Sequence, residues 1–93
     1  MANIRSAKKR IRQNRKRMLR NRMRKNLVRA AVRRFEAALS GGDLEQAEQA
    51  LRYAVGRLHR AAQKGAIHRN VASRRSGRLT RRFNAVARTR SAS

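Results

Sequence analysis

Apolar and polar positions between Asn3 and Leu39 fall on two lines with a seven-residue spacing. One line is Ile4, Ile11, Met18, Lys25, Val32 and Leu39. The other, three residues on, is Ala7, Asn14, Asn21, Val28 and Phe35. From Val28 onward this seam is apolar and is supported by Leu27, Ala31 and Ala38. Before Val28 it is broken by Asn14, Asn21 and Lys25, with basic residues nearly all the way round. The stretch holds no Pro, no Gly and one acid, Glu36, so a single helix over 3–39 is expected. At 1.5 Å per residue that is a rod of roughly 50 Å. Asn3 or Ser6 would cap its start through a side-chain oxygen. A helix that is polar on every face is not held by a hydrophobic core. The back half is therefore expected in a protein core, and the front half on a polyanion.

Ser40-Gly41-Gly42-Asp43 ends this helix, Gly being favoured just past a helix C-terminus. Asp43 is the expected N-cap of the next helix, with Gln46 completing a capping box. Asp43, Glu45 and Glu48 complement its dipole. Its stripe is Leu44, Ala47, Leu51, Ala54, Val55, Leu58 and Ala61 or Ala62, recurring at three and four residues. Gly56 falls off the stripe and suggests a close approach to a neighbour. Tyr53 lies off it, and His59 stands beside it as a half-buried packing residue. Lys64-Gly65 marks a second break. A third helix begins between Ile67 and Asn70 and reaches Ala87 or Arg90. Its stripe is Ile67, Val71, Ala72, Leu79, Phe83 and Val86, interrupted by Arg75 and Ser76 and weakened by Gly77. Thr89 to Ser93 should fray. Three helices, short turns and no strand signal indicate an all-α fold: an antiparallel three-helix bundle whose long first helix overhangs it. The 93 residues form one domain, divided into an extension (1–26) and the bundle (27–90).

Charge alters the picture more than any other global property. The net charge is +23, and all four acids lie between Glu36 and Glu48. Self-repulsion at that density opposes compaction unless a polyanion offsets it. Residues 5 to 34 offer no acid for their Lys and Arg, whereas a solvated helix face interleaves signs. Like-charge pairs such as Arg5–Lys9, Lys8–Arg12 and Arg20–Arg24 destabilise an isolated helix.

Other chemistries find little support. Without cysteine there is no disulfide framework or thiolate metal site, and two histidines without nearby carboxylates make a poor one. No cofactor, no metal and no catalytic residue is expected. The few acids serve helix starts, and Gly41-Gly42 lacks the residues of a phosphate loop. No apolar run approaches the roughly 18 residues of a membrane span. The basic start lacks the apolar core of a secretory signal, and the return of basic residues at the C-terminus argues against a transit peptide. A cytoplasmic protein without a membrane partner is expected.

Arg outnumbers Lys, and its planar fork binds phosphate bidentately. No DNA-reading motif is present, and no coiled coil is long enough to dimerise, so no homo-oligomer is expected. A rod charged on all faces suits burial among several phosphate backbones, as in structured RNA read by shape. A nucleoid-type DNA-binding protein without sequence specificity is the alternative. A membrane-surface helix would need one apolar face.

The opening MANIRSAKKRIRQNRKR and the later KGAIHRNVASRRSGRLTRRFNA resemble the bacterial S20 family of small-subunit ribosomal proteins. The likeness extends to the length and the GGD turn. It implies a three-helix bundle bound to 16S rRNA in the 30S subunit. It also implies early contact with the 5′ domain and with the long helix near the 3′ end, the first helix penetrating between RNA helices. Asn3, Ser6, Ala7, Lys8, Lys9 and Arg10 match the opening motif. Gly65, Ile67, His68, Asn70, Ala72, Arg74, Arg78 and Leu79 match the second, and Gly77 departs from it. Candidate RNA contacts on the first helix are Asn3, Arg5, Ser6, Lys8, Lys9, Arg10, Arg12, Asn14, Arg15, Lys16, Arg17, Arg20, Asn21, Arg22 and Arg24. Beyond the second break they are Lys64, His68, Arg69, Asn70, Arg74, Arg75, Arg78, Arg81 and Arg82. His68, by itself a cap or loop residue, then stands at a helix start where the dipole favours a phosphate.

Overall fold

A computed structural model describes residues 2–92 of the chain, and the side chains of 3–90. Met1, and Ser93 of the tail expected to fray, lie outside the described residues. Three helices make up the fold: α1 (Ala2–Gly41), α2 (Leu44–Gln63) and α3 (Arg69–Ala92). No strand occurs among the described residues. The helices run antiparallel in succession, and α2 is central, with α1 and α3 each packing mainly on it. At 40 residues α1 is twice as long as α2, so it cannot be flanked along its whole length. The result measures 73 × 22 × 13 Å.

The ends of the helices differ from expectation at α1. It starts at Ala2, so Asn3 and Ser6 lie inside it and do not cap it. At the other end it continues through Ser40 and Gly41. The left-handed position that ends it is Gly42, at φ +89°. A side chain there would be strained and would collide with the Arg90 guanidinium, which lies over this turn. The start of α2 follows its sequence: Asp43 Oδ1 accepts from the N–H groups of Glu45 (3.1 Å) and Gln46 (3.2 Å). No reciprocal bond from the Gln46 side chain accompanies it among the described residues.

The end of α2 is a Schellman motif. Gly65, at φ +79°, donates to the Ala62 carbonyl (3.0 Å), and Ala66 donates to that of Ala61 (2.8 Å). This geometry folds Ala66 back onto Ala61, and both are buried. At the far end, α3 stays helical to Ala92, through Thr89 and Arg90 where fraying was expected. Two contacts hold its last turns. Thr89 Oγ1 donates to the Ala85 carbonyl (2.9 Å), and the Arg90 guanidinium donates to the carbonyl of Gly42.

The core is small and rich in alanine. Val28, Ala31 and Phe35 come from α1, and Ala47, Ala50, Leu51, Ala54, Leu58 and Ala61 from α2. Ala66 of the turn and Ala72 and Leu79 of α3 complete it. Seven of these twelve are Ala, so the helices approach closely around Phe35 and Leu58, both fully buried. Several stripe positions sit elsewhere than expected. Leu27 and Val71 are exposed, because each lies at the edge of its helix's inward face. Leu44 is only half-buried, at the open start of α2. His59 is exposed rather than packed, and Gly56 has no neighbour within reach of an added Cβ. Ser76 does not merely interrupt the stripe: it is buried within it.

Candidate nucleic-acid interface

The basic surface is built first by what α1 lacks. Residues 5 to 34 hold fifteen of the 27 Lys and Arg and no acid. Every side chain from Asn3 to Arg20 is exposed, so none of them is buried by any other described residue. Burial begins at Asn21 and Arg24, both half-buried, and is complete at Val28. Arg24 Nη1 donates to Asn21 Oδ1 (3.4 Å), one turn away.

The antiparallel return of α2 brings its C-terminal end back beside this part of α1. There Lys64 joins Lys16, Arg17, Arg20 and Arg24 around a cleft of about 400 Å³, with Gln13 and Asn21 completing the walls. No carboxylate lines it. Five cations held round one concavity repel each other, which an anion seated there reverses. A second basic hollow of about 490 Å³ lies along α1 among Met18, Asn21, Arg22, Lys25, Asn26 and Arg29. Gln13, Lys25, Asn26 and Arg29 line these hollows without being among the expected contacts. Lys25 and Arg29 continue the run of positive charge, whereas Gln13 and Asn26 are neutral and carry no such signal.

On α3, Arg74 and Arg81 lie one heptad apart and are exposed, as is Arg78 beside them. Arg88 extends their row by another seven residues, though it was absent from the expected contacts. Arg75 is half-buried. Arg82 is committed within the fold: its Nη1 meets Glu36 Oε1 of α1 at 3.2 Å. At half exposure such a pair contributes little stability, about 1 kcal/mol at most. It nonetheless neutralises one of the expected contacts.

His68 resolves into a cap. Its Nδ1 accepts the N–H of Asn70 (3.0 Å), while its carbonyl accepts that of Ala72 (3.1 Å). The bond requires an unprotonated Nδ1 and leaves Nε2 as the outward edge. Arg69 and Asn70 stand exposed beside it.

The acids occupy the opposite end of the bundle. Asp43 caps α2, Glu48 meets Arg52 at 3.0 Å, and Glu36 meets Arg82. Charge is thus separated along the long axis, with a nearly balanced closed end and a purely basic rod. No group of three or more potential metal ligands occurs among the described residues. No helix there is long and apolar enough to cross a membrane.

Comparison with known proteins accords with this geometry. The family profile described as "Ribosomal protein S20" matches residues 2–84. A protein of Natranaerobius thermophilus named "Small ribosomal subunit protein bS20" is 46% identical over 87 residues, covering 94% of this chain and 99% of its own. The protein of that name from Heliobacterium modesticaldum is 48% identical over 84 residues, 90% of this chain and 96% of its own. That of Carboxydothermus hydrogenoformans is 49% identical over 86 residues, 92% of each.

Proposed function

The chain belongs to the S20 family of ribosomal proteins, and from that premise we propose that it binds 16S rRNA directly as a structural constituent of the small ribosomal subunit in the cytoplasm. Its role is to hold RNA segments together by neutralising their phosphates, without catalysis. Residues 1–26 act as the RNA-penetrating extension and 27–90 as the bundle that anchors it. The RNA regions implied by the family resemblance are the 5′ domain and the long helix near the 3′ end.

One observation carries this reading above the others. Side chains 3 to 20 are all exposed on a stretch of α1 with no acid, so the described residues supply neither packing nor counter-charge for them. RNA supplies both. A rod with cations on every side is matched by phosphates on every side, a condition that packed RNA helices meet and a single duplex does not. The cleft at Lys64 adds a fixed point where rod and bundle grip one backbone together.

The test is retention on the subunit. Small subunits assembled with the chain are washed at high salt and sedimented. The chain is expected to remain with them, since its phosphate contacts are enclosed. Quantitative release under conditions that leave the RNA folded contradicts direct rRNA binding.

A further inference from the structure

Phosphate neutralisation accounts for the Lys and Arg of α1 but not for its apolar side chains. Ile4, Ile11, Met18 and Leu19 are each more than half exposed. Surface apolar residues scattered singly need no explanation, but Ile4, Ile11 and Met18 are aligned, and Leu19 stands beside Met18 at the edge of their row. An α-helix drifts by about 20° per heptad, so Ile4, Ile11 and Met18 fall within about 40° of one another. The same drift, summed back from Leu39, turns the row off the bundle seam by about 60° at Met18 and about 100° at Ile4. The row therefore turns progressively off the line that the core uses, and its side chains stay exposed. At its inner end Met18 and Leu19 floor a shallow notch of about 220 Å³, walled by Arg15 and Arg22. Those two arginines lie seven residues apart, on the same side as the row.

We propose that Ile4, Ile11, Met18 and Leu19 form a contact surface for the ribose and base edges of an RNA minor groove, with Arg15 and Arg22 reaching the phosphates that border it. This rests on the RNA-binding reading above and adds a second kind of contact to it. The minor groove of A-form RNA is wide and shallow and displays sugars and base edges, so a narrow apolar ridge can lie in it. Charge complementarity selects RNA as the occupant. A protein partner would need to be strongly acidic to approach a surface with cations at both walls of the notch. A lipid surface would need a wide apolar face, and this row is narrow.

Apolar contacts and phosphate contacts respond differently to salt. Each phosphate contact adds about 0.7 to 0.9 to the slope of log K against log salt, whereas an apolar contact adds none. The full-length chain is titrated with 16S rRNA over a salt series, alongside two variants. One carries Ile4→Gln, Ile11→Gln, Met18→Gln and Leu19→Gln, which preserve helix propensity and length. The other carries Arg15→Gln and Arg22→Gln. The apolar variant should lose about tenfold or more in affinity at every salt concentration with its slope unchanged. The arginine variant should lose about 1.4 to 1.8 from the slope. Melting of each free variant confirms that the bundle is intact. Wild-type affinity in the apolar variant overturns the proposal. So does a loss that comes with a reduced slope. Normal binding to bare rRNA with failure to enter the subunit assigns the ridge to a protein and also overturns it. If the unaltered chain shows no preference for 16S rRNA, the underlying reading fails instead.

Discussion

Ser76 is the one buried side chain in the core stripe with an unmet hydrogen-bonding group: its Oγ has no partner among the described residues. A buried hydroxyl without a partner costs stability, since it has given up water and gained nothing. Ser76→Ala keeps the volume nearly constant and should raise the melting temperature, by about 1 kcal/mol of stability. Thermal unfolding followed by circular dichroism reads this directly, and a drop would mean that the hydroxyl has a partner. The helical glycines extend the argument. Gly56 and Gly77 have open space where a Cβ would stand, so no close approach explains either. Ala at each should add about 1 kcal/mol. Gly42→Ala should go the other way, because its φ is positive and an L side chain is strained there. A scan in which all three substitutions stabilise would contradict the turn geometry described here.

Among the elements, α2 was the most legible, because Ala47, Leu51, Ala54 and Leu58 keep the helical period and Asp43 announces its start. Ala50 and Ala66 were not legible. Alanine carries a weak apolar signal, and Ala66 is buried through a Schellman turn, which periodicity does not encode. On α3 the stripe was readable from Ala72 to Phe83, but Arg90, which helps to hold the last turns, reaches across to the α1–α2 turn and is invisible locally. For α1 the change of character near Val28 was readable from its polar seam. The direction of the front apolar row was not. A seven-residue tally tied Ile4, Ile11 and Met18 to the core line, whereas a straight helix turns them away from it. Arg17 and Arg20 belong to the front half and line the cleft at Lys64 with other cations, Gln13 and Asn21, and with no carboxylate. Arg17→Glu with Arg20→Glu should therefore abolish rRNA binding. The melting temperature of the free chain should stay the same or rise, since cation repulsion is relieved. A clear fall in melting temperature would show that this half supports the bundle.

The molecule as a whole is a rod with a small anchor. Its radius of gyration, 18.4 Å, exceeds the roughly 12 Å of a compact chain this long. Extension carries the basic half clear of the only acids, so the long axis is also a gradient of charge. Long-range attraction to any nucleic acid follows from that charge and must weaken steeply with salt. What separates a shape-matched RNA partner from polyanions in general is the affinity that remains once salt has screened that attraction.

Competition at rising salt measures that remainder. The chain is held on labelled 16S rRNA and challenged with excess duplex DNA of equal phosphate concentration. Both affinities should fall as salt increases, and the preference for 16S rRNA should persist and widen at the highest salt. Equal competition by duplex DNA throughout the series would contradict a structural role built on folded rRNA.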